Sequence, residues 1–174
     1  MNLSELCNAA GIKCGFEIDI KGIKSNSSKV EKGDLFVCIK GLNKDGHNYV
    51  SEAVNRGAAA VVAEHELEAS VPVIITDNTR RILPLMYNAW YGYPTRKLKL
   101  IAVTGTNGKT STTLLLKHVL EKTKGAKVGL IGTTGNMIGE ERIASNYTTP
   151  DPIDLQRDLR AMADAGVNAV VMEV

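Results

Sequence analysis

Aromatic residues are scarce in this 174-residue chain: they make up 5% of it, with one Trp and two Phe. A core must therefore be built mainly from Val, Ile, Leu and Ala, which suits packed layers of helices and strands rather than a fibrous or disordered chain. The net charge is only +2. Because nucleic-acid binders normally carry a clustered basic patch, we expect no nucleic-acid partner.

Cysteines and long apolar runs are also few. The three cysteines, Cys7, Cys14 and Cys38, are odd in number and lack metal-type spacing, so we expect reduced thiols in a cytosolic protein. No basic and apolar leader opens the chain, and no apolar run approaches the ~20 residues that span a bilayer. We predict a cytoplasmic protein with no membrane partner.

Helical and strand patterns alternate along the chain. The patterns predict helices over 3–10, 50–56, 79–91 and 152–165 and strands over 34–39, 58–63, 73–76, 98–103, 128–131 and 169–174. A further long helix follows a glycine loop near residue 109, with Leu115 and Val119, and Leu116 and Leu120, stacked four residues apart. Pro84 lies inside one predicted helix and is expected to shift its start. The alternation predicts an α/β fold built from parallel βαβ units.

Residues 92–97 are the best candidate for a linker, because Gly, Pro and basic residues follow a helix and the pattern then restarts. We therefore predict two domains, 1–97 and 98–174. The chain stops at Val174 within an apolar strand that no later element could cover. Parallel sheets need helices on both faces, so we expect the second domain to be the truncated start of a larger one.

Between the strand at 98–103 and the long helix lies a stretch with the composition of a phosphate-binding loop: Gly105, Thr106, Asn107, Gly108, Lys109, Thr110 and Ser111. Glycines let backbone N–H groups surround phosphate oxygens, and the helix N-terminus adds partial positive charge. Lys109 can reach the β and γ phosphates, and the Thr110 hydroxyl can coordinate Mg²⁺. Val103 stands where the general Walker pattern has its first glycine. The alternative is a plain glycine turn with a surface lysine. That alternative would not require a strand, a glycine loop, a Lys-Thr pair and a helix to follow one another.

The loop resembles the ATP-binding loop of the Mur ligase family, whose members build the peptidoglycan peptide by ATP-dependent amide formation. Residues 32–41 and 45–47 are similar to the N-terminal UDP-binding domain of the MurE and MurF ligases. Residues 148–150 and 172–174 are similar to the MurE type. The resemblance implies a small N-terminal α/β UDP-binding domain, followed by the truncated start of a P-loop parallel-sheet ATPase domain.

The resemblance also implies site residues on the nucleotide side. It assigns residues 105–111 to ATP, with Lys109 catalytic, and it assigns Thr110 and Glu173 to Mg²⁺. A separate argument supports Glu173: a carboxylate at the C-terminal end of a parallel strand faces the crevice where α/β sheets bind ligands. An exposed edge carboxylate is the alternative.

On the substrate side, the resemblance assigns Thr148 and Thr149 to the UDP-sugar. The family usually has Asp-Ser-Arg where this chain has Asn26, Ser27 and Ser28. Ser27 matches and is predicted to hydrogen-bond the uridine. A plain polar turn over residues 25–28 is the alternative.

The implied activity is that of an ATP-dependent ligase that adds diaminopimelate or lysine to UDP-N-acetylmuramoyl-L-alanyl-D-glutamate through an acyl phosphate. The expected partners are this nucleotide dipeptide and an amino acid, with ATP and Mg²⁺ as cofactors, and the enzyme is expected to be a monomer. We expect the 174-residue chain alone to be inactive, since family members carry further catalytic parts downstream.

Two other functional classes compete with the ligase. A non-catalytic module that only binds a UDP-sugar or nucleotide would keep the same motifs. A P-loop kinase or GTPase is disfavoured by residues 148–150 and by the front domain. His47 is more plausible as a structural or solvent-exposed histidine than as a catalytic one, and we expect His65 and His118 at the surface.

Overall fold

The computed structural model describes residues 1–143 and 151–174 and divides into two compact units, Met1–Trp90 and Tyr91–Val174. The predicted domain boundary, between residues 97 and 98, lies inside the second unit. Part of the predicted linker forms a 3₁₀ turn, Pro94–Arg96, in which Pro94 is buried. Both units have the α/β architecture that the alternating pattern predicts.

The first unit is a four-stranded parallel sheet with the strand order β1-β2-β3-β4. Its strands are β1 (Gly22–Lys24), β2 (Asp34–Val37), β3 (Ala60–Ala63) and β4 (Val73–Ile75). Its helices are α1 (Leu3–Ala9), α2 (Val50–Asn55) and α3 (Thr79–Trp90), with 3₁₀ turns at Ser27–Lys29 and Gly46–Tyr49. Strand β1 contains a single apolar residue, Ile23, and therefore shows no apolar run, so the sequence did not predict it.

Apolar side chains on one face of this sheet pack against α2. Phe36 and Val61 join Val50 and Ala53 in a buried cluster, as strand alternation and helix spacing require. Pro84 does not displace the start of α3: the helix begins at Thr79, and the Asn78 side chain accepts from the Arg81 N–H (2.8 Å). The expected shift was therefore wrong, since this N-terminal hydrogen bond fixes the first turn upstream of the proline.

In the described part of the second unit, five strands form one sheet in the order β5-β9-β6-β7-β8. The strands are β5 (Lys99–Val103), β6 (Val128–Ile131), β7 (Asn136–Ile138), β8 (Glu141–Ile143) and β9 (Ala169–Glu173), and the helices are α4 (Lys109–Lys124) and α5 (Pro152–Asp164). Strands β5, β9 and β6 are parallel. Strands β7 and β8 form an antiparallel hairpin beside β6, which the prediction of parallel units missed because polar residues interrupt both short strands.

Strand β9 lies in the middle of the parallel part of this sheet, and both of its faces are covered. Val171 packs in a cluster that includes Leu116 and Leu120 of α4, whereas Val170 packs with Leu159 and Met162 of α5 on the other face. The expectation that this last strand would lack cover was wrong, because the two preceding helices lie on opposite faces.

Helix α4 uses only one of its two predicted apolar rows. Leu116 and Leu120 contact the core, but Leu115 is 64% exposed and Val119 is 43% exposed. The predicted row at 115 and 119 therefore faces away from the sheet, since rows one residue apart point about 100° apart on a helix.

The three cysteines are free thiols, as predicted, and two of them are buried. Burial raises the pKa of Cys7 to about 12, helped by nearby Cys14. Burial also raises the pKa of Cys38 to about 12, with further contributions from Asp45 and Glu64. Thiols held protonated in this way are poor nucleophiles. Among the described helices, none is long and apolar enough to cross a membrane.

The neighbouring leucines of α4 allow a direct test of this packing. Leu116→Ala should lower the free energy of unfolding by about 2 kcal/mol, because it removes side-chain volume from the α4 cluster. Leu115→Ala, the matched control with the same change in helix propensity, should change it by less than about 0.5 kcal/mol. Urea unfolding followed by circular dichroism measures both, and a larger loss for Leu115→Ala would contradict this orientation of α4.

Candidate functional site

The phosphate-type loop lies between the end of β5 and the start of α4, where the sequence predicts it. Residues 105–108 are exposed, and Lys109 is the first residue of the helix. Gly108 occupies the N-cap position with a φ of +78° and no side-chain cap. With no capping side chain, the first N–H groups of α4 lack the partner that Ser, Thr, Asp or Asn would supply.

Lys109 lies across this loop. Its Nζ donates to the carbonyl oxygen of Gly105 (2.6 Å), which holds the ammonium group over the glycines instead of extended into solvent. The first turn of α4 contains no acidic residue. Positive charge and the positive end of the helix dipole therefore act together at the loop, an arrangement that favours an anion.

Three oxygen-bearing side chains meet beside the loop. The Thr110 hydroxyl donates to Glu173 Oε2 (3.2 Å), and Thr133 Oγ1 lies 3.1 Å from Thr110 Oγ1. Thr133 Oγ1 is 3.3 Å from Glu173 Oε1 and 3.4 Å from Oε2. The structure thus brings together the two residues predicted for Mg²⁺, Thr110 and Glu173, and adds a third that the sequence did not suggest.

Charge and chemistry at this cluster suit a hard cation. Glu173 is only 9% exposed, and within residues 1–143 and 151–174 it forms no ion pair with Lys, Arg or His. The same described residues contain no group of three or more His, Cys, Asp or Glu that could hold a metal alone. Mg²⁺ commonly uses one or two carboxylates and completes its shell with phosphate and water oxygens. One carboxylate and two hydroxyls beside a loop that favours an anion fit that preference.

A second concave region lies in the first unit, around Ser27. A cavity of about 280 Å³ is lined by Ser25, Asn26, Ser27, Phe36, Ile39, Lys44, Gly46 and Tyr49. Ser27 is 8% exposed, and its hydroxyl donates to Glu52 Oε2 (2.8 Å). Asn26 caps the 3₁₀ turn by accepting from the Ser28 N–H (3.1 Å) and the Ser28 hydroxyl (2.9 Å). Ser27, predicted to contact the uridine, therefore lines a cavity. Asn26 and Ser28, which depart from the family pattern, are hydrogen-bonded to each other.

His47 is buried in a hydrogen-bonded cluster near this cavity. Its Nδ1 contacts Asp45 Oδ1, and its Nε2 accepts from the Glu64 N–H (3.0 Å), which assigns the ring proton to Nδ1. Hydrogen bonds from His47 hold the pKa of Asp45 below its usual value. Both ring nitrogens are engaged within the protein, which agrees with a structural role. His65 stacks on His47 and is exposed, and His118 is exposed as expected.

Thr148 and Thr149, predicted to bind the UDP-sugar, lie outside the described residues. Their assignment stays a prediction.

Comparison with known protein families covers both units. Residues 103–174 match the Mur ligase middle domain, and residues 19–91 match the model described as Mur ligase family, catalytic domain. The chain belongs to the Mur ligase family. The family resemblance predicted from the loop and from residues 32–41 and 45–47 is therefore confirmed.

Relatives of this Mur ligase chain include the UDP-N-acetylmuramoyl-L-alanyl-D-glutamate--2,6-diaminopimelate ligase of Bacillus licheniformis, 48% identical over 156 residues, which cover 90% of the chain and 32% of that protein. A solved diaminopimelate ligase of the same name superposes with a TM-score of 0.76 at 26% identity, over 100% of this chain and 36% of that one. The MurF ligase of Thermotoga maritima in complex with ADP superposes with a TM-score of 0.57 at 26% identity, over 87% of this chain and 31% of that one. This chain thus spans about a third of the length of its relatives.

Sequence reasoning missed Gly132 and Thr133, which follow β6. The only indication was a Gly-Thr-Thr-Gly turn directly after a buried strand, at the same end of the sheet as the loop. That indication could be used only with the strand order known, because β6 and β9 are far apart in the sequence.

The two glycines that bracket α4 provide a test of its backbone. Gly108 and Gly125 both have positive φ (+78° and +58°), and an added Cβ would meet no atom within 4 Å at either position. Gly108→Ala and Gly125→Ala should therefore each lower the free energy of unfolding by about 1 kcal/mol, from backbone conformation alone. Urea unfolding of both variants checks this, and a loss above about 3 kcal/mol at either position would show that contacts, not conformation, dominate there.

Proposed function

We propose that this chain supplies the ATP-binding loop and the uridine-binding cavity of a MurE-type ligase. The observation that carries the proposal is the meeting of the loop, Thr110 and Glu173 at one end of the parallel sheet. Carboxyl ends of parallel strands are where α/β sheets bind ligands. Family membership and the names of the relatives support the same function.

On the nucleotide side, residues 105–111 would surround the phosphates of ATP with backbone N–H groups, while Lys109 supplies a positive charge. Thr110 and Glu173 would hold Mg²⁺, which when bound neutralises phosphate charge. Neutralising the phosphate charge matters for amide formation because the acceptor carboxylate and the γ-phosphate are both anions and repel each other. Groups that lower their repulsion and position the phosphate supply most of the catalysis in phosphoryl transfer.

On the substrate side, the cavity around Ser27 would take the uridine. A serine hydroxyl that donates its single proton to Glu52 can still accept a hydrogen bond from a ligand N–H. Lys44 adds a positive charge to the same cavity, which suits a diphosphate attached to the uridine. Thr148 and Thr149 would contact the sugar portion.

The proposed reaction joins an amino acid to UDP-N-acetylmuramoyl-L-alanyl-D-glutamate, and the names of the relatives favour 2,6-diaminopimelate over lysine. Activity would belong to a protein of the relatives' full length, so the 174-residue chain alone is proposed to form no tripeptide. We further propose a cytoplasmic monomer that uses neither nucleic acid nor membrane as a partner.

Nucleotide binding by the 174-residue chain tests the proposal. Isothermal titration with a non-hydrolysable ATP analogue and Mg²⁺ should show saturable binding, and Lys109→Ala should weaken it by roughly tenfold or more through loss of a charge-assisted phosphate contact. Lys122→Ala removes an exposed lysine from the same helix and is the matched control. The proposal fails if the unsubstituted chain does not bind the analogue, or if both lysine variants bind equally well.

The competing function, a non-catalytic binding module, predicts the same titration, so a second measurement separates the two. The intact mass of the natural product should be determined from its own cells. A mass far above 18.7 kDa is expected for the ligase. A mass near that value would favour the binding module.

A further inference from the structure

The turn that follows β6 touches the carboxylate proposed to hold the cation. Thr133 Oγ1 lies 3.3 and 3.4 Å from the two carboxylate oxygens of Glu173, and 3.1 Å from Thr110 Oγ1. These contacts join three elements that are distant in the sequence: the start of α4, the end of β6 and the end of β9.

Gly132 brings the backbone of this turn close to the same carboxylate. A Cβ built on Gly132 would lie 2.5 Å from Glu173 Oε1 and 2.9 Å from its Cδ, which is closer than real Cβ atoms approach other atoms. The glycine is needed for space, because every other residue would force the carboxylate to move.

We propose that Gly132 and Thr133 are positioning residues for Glu173: the glycine leaves room for the carboxylate, and the threonine hydroxyl holds it toward Thr110. This inference rests on the function proposed above and adds residues that direct its cation site. A glutamate side chain has several rotatable bonds, and fixing it before the ligand arrives avoids an entropic cost at binding.

The spacing of the oxygens supports this role. Mg²⁺ requires near-octahedral oxygens at 2.0–2.1 Å, so neighbouring ligand oxygens lie about 2.9 Å apart. Thr110 Oγ1 and Glu173 Oε2 are 3.2 Å apart with Thr133 bonded beside them, which is close to that spacing. Without the Thr133 hydroxyl, Glu173 keeps only the Thr110 hydroxyl as a donor within this cluster, and the carboxylate can rotate out of this arrangement.

Thr133 is itself exposed, so its substitution should leave the core intact and affect mainly the site. Thr133→Val keeps the shape and removes the hydroxyl, whereas Thr133→Ser keeps the hydroxyl. Thr134→Val makes the same change at the next, also exposed, position of the turn and is the matched control.

The experiment is isothermal titration of the 174-residue chain and these three variants with a non-hydrolysable ATP analogue, once with Mg²⁺ and once with EDTA. The measured quantity is the gain in affinity caused by Mg²⁺. We expect Thr133→Val to reduce that gain by roughly tenfold, the order expected for a hydrogen bond to a charged group, with no change in EDTA. For Thr133→Ser, the gain in affinity caused by Mg²⁺ should stay within about threefold of that of the unsubstituted chain. For Thr134→Val, the gain should equal that of the unsubstituted chain.

The outcomes separate this inference from the proposed function. If the unsubstituted chain gains affinity from Mg²⁺ and Thr133→Val gains as much, the positioning role is wrong and the nucleotide site stands. Equal losses for Thr133→Val and Thr133→Ser would also overturn it, since the hydroxyl would then not matter. If the unsubstituted chain binds no analogue with or without Mg²⁺, the proposed function falls and this inference falls with it.

Discussion

Parallel hydrogen bonding of β9 to its two neighbours, β5 and β6, is the constraint on which the candidate site depends. The pairing places Val103 opposite Glu173 and Ile131 opposite Met172. The C-terminal ends of these three strands therefore lie at the same end of the sheet. The loop after β5, the Glu173 carboxylate at the end of β9 and the turn after β6 meet there. The glycine loop provides the chemistry for an anion, but only the sheet brings a carboxylate and a second threonine beside it.

Two separate apolar layers keep β9 in that position. Alternate residues of the strand point to opposite faces, so Val171 is held by the α4 layer and Val170 by the α5 layer. Helix α4 serves two purposes, since its half-buried row, Leu116 and Leu120, anchors it to the sheet while its first turn presents Lys109 and Thr110. Packing of Leu116 and Leu120 is thus linked to the direction in which the loop faces.

Features encoded in neighbouring residues could be predicted from the sequence. The loop, the helix after it and the buried strands follow from local glycine placement and apolar patterning, and Glu173 follows from its place at a strand end. Thr133 could not be predicted in this way, because an exposed threonine in a turn has no pattern and its neighbours come from other segments. The central place of β9 and the β7–β8 hairpin likewise depend on strand order. The apolar row at Leu115 and Val119 shows that helical spacing identifies a stripe without saying which stripe meets the core.

The contact between Gly132 and Glu173 has a consequence for how this site can change over generations. Every replacement of a glycine introduces the same first atom, so all substitutions at position 132 meet the same obstacle whatever their chemistry. Relief must come from the other side of the contact, where the Glu173 side chain would rotate away or a shorter acid would withdraw the carboxylate by one methylene. A substitution at position 132 therefore displaces a carboxylate 41 residues away in the chain, although the new side chain itself need not reach the bound cation.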